Sequence, residues 1–181
     1  MKTKLLYIHG LNSDATSRKY LNLKEYFKND FEMDCLEWKN EDNISELLDK
    51  AESELENEMN PILFGDSTGA NFAYQLRERR KAKGQKTILI LSSPLLDISK
   101  RIAEIEFPKP LKKYLQKIEN PKDAMIIAPI NDELIDHSFL WENEFEDVKL
   151  FKVDDSHRLP KFIEYLAEIE NYIKSNFNKP I

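Results

Sequence analysis

Apolar residues along this chain fall into two kinds of run, and the two alternate. Short runs, mostly apolar, recur at Lys4–Ile8, Phe31–Trp38, Ile62–Phe64, Thr87–Leu91, Ala124–Ala128 and Val148–Val153. All are too short for helices, and the Lys4–Ile8 run, continuously apolar after Lys4, fits a strand buried on both sides. Between them the apolar positions take helical spacing. Tyr20, Leu23, Tyr26 and Phe27 share one face, behind Thr16 or Ser17 as a cap. Ile44, Leu47, Leu48, Ala51 and Leu55 share another, behind Asp42 or Asn43, and Asn60-Pro61 ends that helix. A third helix runs from about Thr68 to Lys83, with Phe72, Ala73 and Leu76 inward and Gly84 closing it. Asp132 to Phe145 reads as helical. Leu159 to Phe177 reads as a last helix, with Phe162, Leu166, Ile169 and Ile173 inward.

Six such alternations predict a three-layer α/β/α sandwich. Its six-stranded sheet is mostly or fully parallel, with right-handed crossovers. No repeat or shift in composition divides the chain, so residues 1–181 read as one domain. Residues 92–121 interrupt the alternation with Pro94, Pro108, Pro110 and Pro121. This excursion is a candidate lid or pocket element, too short for a large cap domain.

The third strand runs directly into Gly65-Asp66-Ser67-Thr68-Gly69, a G-x-S-x-G pattern followed at once by a helix. That is the sequence form of a nucleophile elbow, where a sharp turn exposes a serine hydroxyl. Gly65 and Gly69 belong to it because strand and helix approach too closely there for a Cβ. A serine hydroxyl needs an adjacent base to become a nucleophile. His157, in Asp154-Asp155-Ser156-His157 after the last strand, is the candidate, since imidazole exchanges its proton near working pH. Asp132, after the fifth strand, is the candidate carboxylate to orient it. An acyl-transfer site also needs donors for an oxyanion. The backbone N–H groups of Thr68 and Leu11 are placed to serve. In open parallel sheets the ligand site lies beyond the carboxyl ends of the strands. Gly10, Ser67, Asp132 and His157 all follow predicted strands.

The chain at this point resembles the small YqiA-like esterases of the α/β-hydrolase superfamily. The likeness runs through Tyr7-Ile8-His9-Gly10-Leu11-Asn12-Ser13, with Ser17 and Lys19 following, and through the G-x-S-x-G. It continues in Asp132-Glu133-Leu134-Ile135-Asp136 and in His157 with Phe162 and Tyr165. Two segments depart from the family's pattern. Ser67-Thr68-Gly69-Ala70 stands where Ser-Leu-Gly-Gly is common, and Asp154-Asp155-Ser156 stands where glycines precede the histidine. The resemblance implies a hydrolase of short acyl carboxylic esters, with Ser67, Asp132 and His157 as its triad, a small-molecule ester as its partner and no cofactor. A non-catalytic binding protein keeping the motif, an acyltransferase and a thioester hydrolase are the alternatives the residues leave open.

Composition removes other classes. A formal net charge of −6 argues against nucleic acid, whose binding draws on cationic neutralisation of phosphates. The basic run Arg77–Lys83 reads as a solvated helix end matched to the helix dipole. No run approaches a membrane span and the N-terminal apolar run is too short for a signal peptide. With Cys35 as the single cysteine, the expectation is a cytoplasmic protein that does not engage a membrane. Cys35 lies inside a strand and reads as a small apolar residue. Asp154, Asp155 and His157 are too close in one loop to converge on a metal. Asp136 competes with Asp132, but one helical turn further on it is expected to point away. His9 is expected to be structural and His137 to lie on a helix surface. Tyr20, Trp38, Phe107, Tyr114 and Trp141 are candidates for either pocket or core.

Overall fold

A computed structural model describes residues 2–177. Its strands are β1 (Thr3–Ile8), β2 (Phe31–Leu36), β3 (Ile62–Asp66), β4 (Ile88–Ser92), β5 (Ala124–Pro129) and β6 (Val148–Val153). They form one sheet in the order β2-β1-β3-β4-β5-β6. Every pairing is parallel, as the continuous apolar runs predict. The helices are α1 (Arg18–Tyr26), α2 (Ile44–Glu54), α3 (Thr68–Ala82), α4 (Lys109–Lys112), α5 (Ser138–Glu142) and α6 (Phe162–Phe177).

Strand side chains alternate between two cores, because successive Cβ atoms point to opposite faces. Tyr7, Phe64, Ile90 and Ile127 pack with Leu23 of α1 and Phe162 and Ile169 of α6. Ile8, Leu63, Leu91 and Ile126 pack on the other face with Leu48 of α2 and Phe72 and Leu76 of α3. The central strands β3, β4 and β5 are buried at almost every position. Edge strands β2 and β6 are not, and their sequences are correspondingly mixed.

Three expectations need correction. The segment Asp132–Phe145 is helical only at Ser138–Glu142. Asp132 accepts the backbone N–H groups of Leu134 and Ile135, and Asp136 accepts that of Ser138. Short carboxylates that capture nearby backbone donors compete with the helix, and here they win. The second strand ends at Leu36, leaving Trp38 beyond it.

The basic run at the end of α3 is the third correction, because Arg77 and Arg80 are buried. Arg80 donates to the carbonyls of Leu55 and Glu58 just past α2, and Arg77 to those of Lys122 and Asp123 before β5. A guanidinium has five donors and no acceptor, so it can saturate the bare carbonyls of two incoming segments at once. The remaining cations of the run are exposed or half-buried and pair with acids, Arg79 with Asp49 and Lys83 with Glu52.

Residues 92–121 are bound into the body. Asn71 of α3 donates to the carbonyls of Leu95 and Gln116 and accepts the Gln116 N–H, while Gln75 donates to the Tyr114 carbonyl. Of the aromatic candidates, Tyr20, Trp38 and Phe107 are core residues, whereas Tyr114 and Trp141 are half-buried against the core. Cys35 is half-buried, and burial pushes its thiol up to about 12.

A Cβ on Gly69 would lie well inside contact distance of the Ile8 carbonyl oxygen at the end of β1 and of the His9 carbonyl oxygen, which accepts from the Trp38 indole. Gly69→Ala is expected to cost about 3 kcal/mol or more in urea unfolding. Gly84→Ala, at φ 72° in open space, is expected to cost only about 1 kcal/mol. The raised thiol pKa leaves little thiolate at neutral pH, since the thiolate is lost as the pKa rises. Iodoacetamide should alkylate folded Cys35 at least about a hundredfold more slowly than the unfolded chain.

Candidate active site

The order of the sheet changes direction at β1. From there the chain goes out to β2 and then returns to the other side with β3. In open α/β sheets the crevice at such a switch point is where ligands bind. Gly10-Leu11 leaves β1 and Ser67 leaves β3, so the two loops flank that crevice.

Ser67 sits at φ 52° and ψ −116°, a left-handed backbone costly for a residue with a side chain. The surroundings impose it. Gly65 has Ala70 Cα 2.5 Å from where a Cβ would stand, so α3 begins directly over the end of β3. The Ser67 N–H donates to the Ser92 carbonyl at 2.9 Å, and its carbonyl accepts the Leu95 N–H at 3.0 Å. Those bonds lock the turn to β4. The hydroxyl is then aimed at the loop after β6.

There the Ser67 hydroxyl meets His157 Nε2 at 3.0 Å. His157 Nδ1 lies 2.8 Å from Asp132 Oδ2 and 3.0 Å from Oδ1. The sequence-predicted Ser67, His157 and Asp132 are thus in a continuous line of contact. An ionised carboxylate only accepts, so Nδ1 carries the hydrogen and Nε2 is left to accept from the serine. Ser67 is half-buried, while the side chains of His157 and Asp132 are 9% and 2% exposed. Burial works to raise the Asp132 pKa. Hydrogen bonds from His137 and His157 and from the Leu134 N–H overcome it and hold the carboxyl well below the usual range.

Several residues that pattern reading did not single out hold this line in place. The Glu133 carboxylate accepts the His157 N–H at 3.0 Å, and the Ser93 hydroxyl donates to the His157 carbonyl at 2.7 Å. Asp155 is buried and accepts from Tyr165, from the Lys161 N–H and from the Ser156 N–H. It ties the histidine loop to α6. Behind the elbow, Asp66 pairs with buried Lys19 at 2.5 Å and accepts from Ser92 at 2.6 Å. Lys19 was visible only as part of a family likeness, because a cation on an apolar helix face has no local signal of its partner. Asp136 caps Ser138 and makes no contact with His157, though for a different reason than helical spacing.

His9 is buried and stacks on Trp38 with ring centroids 5.1 Å apart. Its Nδ1–H donates to the Gly10 carbonyl, its Nε2 accepts the Trp38 N–H, and its own carbonyl accepts from the Trp38 indole. Burial lowers its pKa. The result is a rigid platform under Gly10-Leu11. A Cβ on Gly10 would lie 3.1 Å from Ser67 Cβ, so this segment rests directly against the elbow. Thr68 opens α3, and its N–H is one of the helix-start donors with no intrahelical partner. His137 is neither exposed nor helical: it is buried and its Nε2 lies 2.9 Å from Asp132 Oδ2.

A surface cavity of about 300 Å³ surrounds Arg77, Lys86 and Tyr172, at the opposite end of the sheet. A second, of about 220 Å³, lies between α2, α3 and residues 113–116. Neither is lined by Ser67, Asp132 or His157. Among the described residues no group of histidine, cysteine and acidic side chains is arranged to hold a metal ion. Nor is any helix among them long and apolar enough to cross a membrane.

No protein-family model matches the chain, and no curated protein matches its sequence. Solved structures do match its shape. A protein of Agrobacterium vitis S4 superposes with a TM-score of 0.74 at 18% identity, over 95% of this chain and 88% of that one. A protein of Xanthomonas campestris pv. campestris, assigned to the alpha/beta superfamily of hydrolases, gives 0.65 at 19% identity, over 96% and 97%. YbtT, a type II thioesterase of the yersiniabactin pathway, gives 0.66 at 15% identity, over 98% and 95%. With its six parallel strands, its flanking helices and no large cap, the chain has the α/β-hydrolase fold.

Proposed function

We propose that this protein is a serine hydrolase of carboxylic esters with short acyl chains, of the YqiA-like kind. The observation that carries the reading is the hydrogen-bonded line from Ser67 through His157 to Asp132, at 3.0 and 2.8 Å. In this reading the Ser67 hydroxyl attacks the ester carbonyl while His157 Nε2 takes its proton. The imidazolium that forms faces the Asp132 carboxylate, which stabilises it. The carbonyl oxygen, now negative, accepts from the Thr68 and Leu11 N–H groups. Collapse expels the alcohol, which takes the proton from His157, and leaves Ser67 acylated. Water, deprotonated by His157, then releases the acid. The acyl-enzyme is the same for a thioester, and a thioesterase shares the fold, so thioesters are the second substrate class. The whole chain acts as one domain, and its single cysteine fits a reducing cytoplasm.

Ser67→Ala is expected to lower turnover of p-nitrophenyl acetate and butyrate by at least about 10³-fold, with an unchanged circular dichroism spectrum. A fluorophosphonate should label the wild-type protein and not this variant. Undiminished turnover in Ser67→Ala would sink the assignment. A folded protein that neither turns over esters nor takes the label would favour a binding module built on the same fold. The pH profile tests the base. Protonated imidazole cannot accept from serine, so the rate should climb between about pH 5 and 8. A flat profile would remove His157 from that role.

A further inference from the structure

Asp132 serves two imidazoles, and the second has no part in the scheme above. The His137 side chain is 1% exposed, and its Nε2 meets Asp132 Oδ2 at 2.9 Å. An ionised carboxylate has only acceptors, so this nitrogen carries the hydrogen. Nδ1 is then bare, and it is buried with no hydrogen-bond partner. A ring placed for packing alone would not leave one nitrogen unpaired while aiming the other at a carboxylate. Leaving a buried acceptor unmatched is unfavourable, so the bond on the other side of the ring has to offset it.

The two oxygens of Asp132 are held differently. Oδ1 accepts the Leu134 and Ile135 N–H groups, each at 2.9 Å, so its own turn fixes it, and the His157 Nδ1 lies slightly farther from it than from Oδ2. For Oδ2 the donors are the imidazoles of His137 and His157. The oxygen nearest the candidate base is therefore shared with His137. A hydrogen bond donated to one carboxylate oxygen withdraws charge from what the other donor sees.

We propose that His137 is a positioning residue for the Ser67 site: its Nε2–H fixes the plane of the Asp132 carboxylate and takes up part of its charge. Asp132 then orients His157 with less of its charge bearing on that ring. This inference rests on the hydrolase reading. Besides Asp132, the titratable groups tied to this segment are His157, which shares Oδ2 with His137, Asp136, its chain neighbour, and Glu133, which holds the His157 N–H. Lys100 and Arg101 pair along the same segment, through the Asp136 N–H and the Ile135 bridge. Lys100 and His137 both act on the charge of Asp136, whose carboxylate is turned to Ser138.

The test compares His137→Leu, which removes the donor, with His137→Gln, which returns an N–H near the Nε2 position. With p-nitrophenyl acetate, His137→Leu should move the acid limb of the rate profile up by about half a pH unit, a roughly threefold loss of rate on that limb. The high-pH plateau should change less, and His137→Gln should restore the wild-type limb. A limb that stays in place or moves down in His137→Leu overturns the proposal, as does a shift that His137→Gln fails to reverse. A second measurement needs no turnover. In Ser67→Ala protein, imidazole ¹⁵N NMR should show His137 protonated at Nε2 with Nδ1 bare. The His157 ring should titrate at higher pH once His137→Leu is added. An Nδ1–H signal from His137, or an unmoved His157 titration, refutes the inference even if His137→Leu proves too unstable for kinetics. Absence of Ser67-dependent turnover in the wild type, with the NMR result as expected, would instead remove the hydrolase reading and leave the Asp132–His137 coupling standing.

Discussion

Everything at the candidate site follows from how closely α3 is pressed against the ends of β1 and β3. Three of the chain's four glycines stand at that one junction, Gly10, Gly65 and Gly69. At Gly65 and Gly69 a Cβ would collide with the neighbouring segment, and at Gly10 it would press on the Ser67 side chain. With helix and strands this close, the one residue between β3 and α3 has no relaxed conformation open to it. Ser67 is therefore forced into positive φ, and its hydroxyl is pushed clear of the backbone. The strain is offset by burial in the two cores that flank the sheet, to which β1 and β3 both contribute.

What lies around that serine is held by main-chain geometry more than by side-chain packing. The histidine loop is clamped through its peptide groups by Glu133 and Ser93. Arg18 adds a further clamp on the carbonyls of Arg158, Leu159 and Pro160. Arg77 and Arg80 do the same for segments on the far face of the molecule. A buried guanidinium ringed by carbonyls satisfies several backbone groups that loops leave open.

How much of this was legible depended on range. The parallel strands could be read because burial on both faces leaves continuous apolar runs. Ser67, Asp132 and His157 could be read because each directly follows such a run. Their mutual contact followed from topology. His137 could not be read, because the residues before it carry helical spacing while Asp132 and Asp136 divert the backbone donors a helix would need. Nor could the burial of Arg77 and Arg80, which look like any basic helix end until the carbonyls of distant segments are brought to them. The Lys19–Asp66 pair spans 47 positions and has no local pattern at all. For the two arginines and Lys19 the missing information was a partner remote in sequence, whereas for His137 it was a local turn that the apolar spacing does not reveal.

Ser67 and His157 stand ninety positions apart, yet their side chains meet. The loop that carries the imidazole is closed by Tyr165, which reaches back from α6 to Asp155. The contact between the serine and the imidazole therefore needs β3, the loop after β6 and α6 all in place, so this one hydrogen bond reports on segments from both halves of the sequence.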